Sequence, residues 1–187
     1  MFNFAHPSEI VKAIEKYCSS WYGSNVWRLE RDSVESILAS WRTCIKLSWN
    51  ITRSCRNYFV DHVLAPDSPP LISSLLSRFH KFFVSLIDNE NCEVSVIARL
   101  AARDLRSNLG SNLRLLKDTS GLDPWCTGTN AMKQRLIRSC VREIPPKDLW
   151  RVPYLQKLLA ARQWAYYNTE GDTVKEITAL IDSLVAN

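Results

Sequence analysis

The chain has only five glycines and three histidines in 187 residues, and what these scarcities exclude is informative. No G-x-x-x-x-G-K-[ST] or G-x-G-x-x-G loop is present to cradle a phosphate, and neither H-E-x-x-H nor G-x-S-x-G occurs. Two-metal phosphoryl transfer needs carboxylates held in pairs, yet Asp61, Asp88 and Asp104 stand isolated among basic or apolar neighbours. An independent enzyme is therefore not expected, and no cofactor is implied. His6, His62 and His80 lie far apart and none falls at ligand spacing from a cysteine, so no metal site is expected either. No apolar run approaches the roughly 20 residues of a membrane span. The six cysteines, Cys18, Cys44, Cys55, Cys92, Cys126 and Cys140, form no C-x-x-C pair, and no signal segment precedes them. Reduced, mostly buried thiols in an intracellular protein, nuclear or cytoplasmic and not secreted, are the expectation.

What the chain does have is helical periodicity. Its length fits one domain, or a small domain with an appendage. Ile10, Val11, Ile14, Tyr17, Cys18 and Trp21 follow the i, i+3, i+4, i+7 pattern of a buried helix face, and Gly23 permits a turn. Asp32 and Glu35 have capping-box spacing, with Val34, Ile37, Leu38, Trp41, Cys44 and Ile45 in register behind them. After the proline-rich "APDSPP" (65 to 70), Leu71, Ile72, Leu75, Leu76, Phe79, Phe82, Phe83 and Leu86 form the most regular amphipathic face. Glu93 to Leu105 reads as a helix with Val94, Ile97, Ala98 and Ala101 inward, closed by "NLGSNL" (108 to 113). Further helices are expected over 131 to 143, about 153 to 167, and 174 to 185, with Thr173 and Glu176 as a second capping box. No stretch alternates as a strand would. The class is all-α: a multi-helix bundle over residues 1 to 116, a linker at 117 to 130, and a smaller helical appendage over 131 to 187.

Charge is modestly basic at +5, so its placement matters more than its sum. Between Arg42 and Arg56 lie four bases, Arg42, Lys46, Arg53 and Arg56, and no acid; Arg42 and Lys46 are one turn apart beside Trp41 and Trp49. A second acid-free stretch, Leu105 to Lys117, carries Arg106, Arg114 and Lys117 among Ser107, Asn108, Ser111 and Asn112. Such residues neutralise and position a phosphate backbone without reading sequence. They are equally the composition of a solvated helix face. Tyr22 and Trp27, at the corner between the first two helices, are assigned to packing, with buried rings and polar tips near the surface.

Three segments together carry a family resemblance: "YCSSWYGSNVW" (17 to 27), "SWRTCIKLSWNI" (40 to 51) and "RFHKFFVSLIDNENCEVSVIARLAARDLRSNLGSNLRLL" (78 to 116). They resemble the region after the polymerase palm in reverse transcriptases of LINE-type non-LTR retrotransposons. The matching positions are Tyr17, Cys18, Tyr22, Gly23, Trp27, Trp41, Arg42, Ser107, Gly110 and Asn112. The match runs from about residue 2 to 116, and the remainder has only a general likeness to the helical tail of such polyproteins. Asn50 stands where that family often has proline, and Trp21 where it has a smaller apolar residue. The resemblance implies a non-catalytic part of an RNA-directed DNA polymerase that holds RNA or an RNA/DNA hybrid against a palm. The palm's Asp-Asp motif lies upstream of the YG segment in that family and is not in this chain. Implied nucleic-acid contacts are Arg42, Lys46, Arg53 and Arg56 with Arg106, Ser107, Asn108 and Asn112. The alternative is a degenerate or domesticated remnant acting as a helical protein-interaction module, docking a partner on the Leu71 to Leu86 face. Neither reading involves a membrane.

Overall fold

The computed structural model describes residues 7–14, 16, 23–66 and 70–186. Among these the chain forms nine α-helical elements and no strand, as its periodicity implies. Tyr17, Cys18, Trp21 and Tyr22 lie outside the described residues. Contacts divide the chain into two compact units: Met1–Ser19, Ala39–Ser68 and Arg142–Asn187 form the first, and Ser20–Leu38 with Pro69–Val141 form the second. The division thus interleaves the sequence and does not follow the expected boundary at 117 to 130.

The first unit contains α1 (Pro7–Ala13) and the greater part of α2 (Arg31–Ser48). Because α2 starts at Arg31, Asp32 lies inside its first turn and does not cap it. After α2 the chain turns at Asn50, whose φ of 47° is left-handed. A proline ring could not adopt that angle, whereas asparagine tolerates it. Next come α3 (Asn57–Phe59) and a π-helical turn (Val60–Leu64), neither expected from periodicity. The packing of Phe59, Val60 and Leu64, all essentially without solvent contact, outweighs the weak local signal; a fully buried Phe or Leu contributes about 1.5–3 kcal/mol.

Two long helices complete this unit, α8 (Arg151–Tyr167) and α9 (Gly171–Val185), which pack on each other. Glu170 precedes α9, so Thr173 also lies inside a helix and not at its cap. In both misplaced caps the helix starts earlier than the capping-box spacing suggests.

The second unit is organised around α4 (Leu71–Ile87), which packs against α5 (Cys92–Arg103), α6 (Asn108–Ser120) and α7 (Thr129–Cys140). Leu71, Leu75, Leu76, Phe79 and Phe83 of α4 are buried. The most regular apolar face in the sequence is therefore the core of its own unit, not an open docking face. Asn91 caps α5, its side-chain oxygen accepting from Glu93 N–H at 3.0 Å. Ala98 and Ala102 face inward while Ile97 is 65% exposed, so the helix is rotated from the expected register. "NLGSNL" does not close α5; it starts α6, with Ser107 as the N-cap.

The stretch expected as a linker belongs to this unit. Gly121 ends α6 in the left-handed conformation, φ 70°. The turn after it is tied down by Trp125, edge-on to Phe83 at 5.0 Å, and by the Pro124 carbonyl, 3.2 Å from His80 Nε2.

Candidate functional site

The acid-free stretch from Arg42 to Arg56 puts cations on the last turns of α2 and in the loop behind it, and the fold turns most of them inward. Arg42 is buried and makes a forked pair with Asp61 of the π turn, Nε to Oδ1 at 3.2 Å and Nη2 to Oδ2 at 2.9 Å. Lys46, also buried, donates from Nζ to the carbonyls of Arg53 at 3.0 Å and Cys55 at 2.5 Å. Burial lowers the Lys46 pKa, partly offset by the adjacent Cys55, and burial pushes the Cys55 thiol up to about 11. Arg56 Nη1 donates to Tyr58 Oη and to Asp148 Oδ2, both at 2.7 Å. Tyr58 Oη donates to the same carboxylate oxygen at 2.5 Å. That hydrogen bond, followed by the Arg56 and Arg151 charges, holds Asp148 below the usual carboxylate range. Of the four bases only Arg53 is exposed.

Arg42, Lys46 and Arg56, expected as phosphate contacts, thus have partners inside the unit. Arg56 is half-buried and gives Nη1 to Tyr58 and Asp148. Arg42 and Lys46 have their donors on a carboxylate and on carbonyls within the unit, because a buried cation must be hydrogen-bonded to offset the loss of water. Arg162, a base that charge-run analysis passed over, does the same: it is buried and donates to Asn50 O at 3.2 Å and to Trp49 O. A cation there complements the carbonyl end of α2.

The stretch around Arg106 has a different role. Arg106 is almost fully exposed and, among the described residues, pairs with Asp104 at 3.5 Å. Ser107 Oγ accepts from Gly110 N–H at 2.9 Å and donates to Ala101 O at 2.5 Å. Asn108 Nδ2 donates to Val26 O at 3.2 Å. Asn112, with no solvent contact, accepts from Leu29 N–H at 2.8 Å and donates to Trp27 O at 2.7 Å. Gly110 has no room for a side chain, since a Cβ would overlap the Asp104 carbonyl and lie 3.1 Å from Ala102 O.

Gly23, with φ 73°, turns the chain into the segment that Asn112 holds. Two of the three segments that carry the resemblance thus meet in one clasp. Ser107 and Asn112 are structural members of it. Trp27 contributes its carbonyl; its ring is 39% exposed and not buried at the corner as expected. Trp41 is buried on α2.

Exposed cations outside the two acid-free stretches named above lie on α7. Lys133 and Arg138 are exposed and, among the described residues, form no ion pair, while Arg135 donates to Ser120 O at 2.9 Å. The signal was available: residues 124 to 142 contain no acid. The second unit also has a groove of about 380 Å³ walled by Phe79, Phe82, Leu86, Val94 and Ile97, with Asn108 and Asn112 as its polar groups. No titratable side chain lines it, so it offers no acid or base to a bound molecule.

Among the described residues, no group of three or more His, Cys, Asp or Glu is placed to hold a metal, and no helix is long and apolar enough to cross a membrane. None of the five described cysteines is in a disulfide. Only Cys55 is buried; Cys44, Cys92 and Cys126 are exposed, contrary to the expected burial. No protein-family model matches the chain, and no curated protein and no solved structure is significantly similar to it.

Proposed function

We propose that the chain is the helical region following the palm of a LINE-type reverse transcriptase, and that it holds the template and primer by their backbones without reading sequence. The observation that carries this reading is the clasp. The "YG-x-x-x-W" and "S-x-x-G-x-N" segments are more than 80 residues apart, yet the Asn112 and Asn108 side chains donate to the Trp27 and Val26 carbonyls, and Asn112 also accepts from Leu29 N–H just beyond. Two of the three segments that carry the resemblance therefore form one local structure, which supports reading them as a single motif.

The grip itself falls to exposed cations. These are Lys133 and Arg138 on the acid-free α7 and Arg106, all in the second unit. Such residues contribute counterion release and are indifferent to base identity.

The test is a fluorescence-anisotropy titration against a labelled RNA/DNA hybrid across a salt series. With two to four phosphates contacted, log K falls against log salt with a slope of about −2 to −4. The Lys133→Ala/Arg138→Ala variant flattens it by about two units. Absence of binding at low salt overturns the reading, and a slope unmoved by the double variant removes α7 from it.

A further inference from the structure

α8 has its inner and outer faces composed in an unusual way. Leu155, Leu159 and Ala165 are buried together with Arg162. The outer side displays Trp150 at 61%, Tyr154 at 47% and Trp164 at 61% exposure, with Lys157 and Ala161 also exposed between them. At about 100° per residue, positions 150, 154, 157, 161 and 164 fall within roughly 80° of one another. They make one stripe: two indoles, one phenol, one ammonium and a small residue that leaves the rings uncovered.

Leaving several aromatic rings in water forgoes the stabilisation that burial brings, and nothing in the packing of α8 on α9 requires them outside. The stripe is also free of negative charge. Residues 149 to 169 contain no acid, and Arg151 lies 5.5 Å from the centre of the Trp150 ring.

We propose that this face is a stacking platform for the unpaired bases of single-stranded nucleic acid. Trp150 and Tyr154 stand about 6 Å apart along the axis and Trp164 about 15 Å beyond Tyr154, offering π-faces that any base can use, and the Lys157 ammonium between them complements a phosphate. Charge complementarity selects this occupant. No acid occurs over residues 149 to 169 and Lys157 is exposed on the stripe, so a polyanionic strand meets no repulsion there; a protein face rich in Trp and Tyr is the rival occupant that the test below separates. The inference deepens the nucleic-acid reading above by naming an unpaired strand and a separate site, and its test is separable from the hybrid titration.

The experiment measures binding of a labelled uridine 12-mer and of the RNA/DNA hybrid by the whole chain, for the wild type and for Trp150→Ala/Trp164→Ala. Both substituted positions are exposed, and circular dichroism and thermal melting confirm that the variant is folded. The expected result is a loss of about 10-fold or more in affinity for the 12-mer, at 1–3 kcal/mol per stacked base, with the hybrid affinity within twofold of wild type. Intrinsic tryptophan fluorescence is quenched by the 12-mer in the wild type and much less in the variant.

If the 12-mer binds both proteins equally, or does not bind the wild type, the platform is refuted while the hybrid result stands by itself. If the wild type self-associates in sedimentation and the variant does not, with no change in 12-mer binding, the face belongs to a second copy of the chain. A hybrid titration that fails while the 12-mer result holds overturns the backbone grip and leaves the platform.

Discussion

The two units carry equal numbers of lysines and arginines and use them in opposite ways. The first draws cations inward as staples: Arg42 on Asp61, Lys46 on the Arg53 and Cys55 carbonyls, Arg162 on the end of α2, and Arg56 with Arg151 on Asp148. The second satisfies its buried polar groups with neutral side chains, Asn112, Ser107 and His80, and leaves Arg106, Lys133 and Arg138 outside. The lesson is that an acid-free basic stretch does not announce a binding surface. The first unit's loop between Asn50 and Asn57 exposes carbonyls with no helical partner, and long cationic side chains reach them where water does not.

The sharpest way to break this comparison is at Asn112. Asn112→Leu keeps the volume but leaves the Leu29 N–H and the Trp27 carbonyl without their partner. At about 1–3 kcal/mol for each stranded group, urea unfolding should show a loss of roughly 3–5 kcal/mol, with hydrogen-exchange protection lost first in the second unit. A loss under about 1 kcal/mol would mean that the clasp does not hold that unit together.

In the first unit Arg42→Ala strands the partly buried Asp61, with an expected cost of about 2–4 kcal/mol. The double variant Arg42→Ala/Asp61→Ala should recover part of it, because removing both charges leaves neither uncompensated. Equal losses in the single and double variants would show that Arg42 acts through packing and not through its charge.

The units should also separate by pH. His80 is buried, its Nε2–H donating to Pro124 O while Nδ1 has no hydrogen-bond partner, and burial lowers its pKa. The folded state therefore takes up this proton less readily than the unfolded chain. Stability from the neutral ring is fully present above the unfolded value near 6.5 and declines as pH falls below it, by no more than about 1.4 kcal/mol per pH unit. Urea midpoints of the wild type and His80→Gln between pH 7.5 and 5.5 measure this, and the variant should lose that part of the slope. Asp148 behaves the other way. Its depressed pKa gives stability that is present above the unfolded value near 3.9 and lost as pH falls through the lower folded value, so the first unit should keep its protection over the range in which the second weakens.

The smallest effect is expected at Arg106. Its side chain is almost fully exposed, and Arg106→Ala should move thermal stability by less than about 0.5 kcal/mol while still reducing the salt slope of hybrid binding by about one unit. A larger stability change would place Arg106 among the staples, against the comparison.

Sequence by itself determined the helical class and most helix positions: the apolar spacing over Leu71 to Leu86 gave α4 nearly to the residue, because an amphipathic stripe has only one side to bury. It also determined the turn at Gly23, where a left-handed residue was needed. The tertiary structure alone decided the roles of the polar residues. Arg42 and Lys46 look like surface bases in sequence because their partners, Asp61 and two backbone carbonyls, become neighbours only when the chain folds back. Arg56 and Asp148 are 92 positions apart, and Asn112 meets Leu29 across 83, separations at which no local spacing reports a contact. The exposed rings of α8 were hidden for the converse reason: aromatic residues in a helix are expected to face inward, and only the packing of α8 against α9 shows which side was left to solvent.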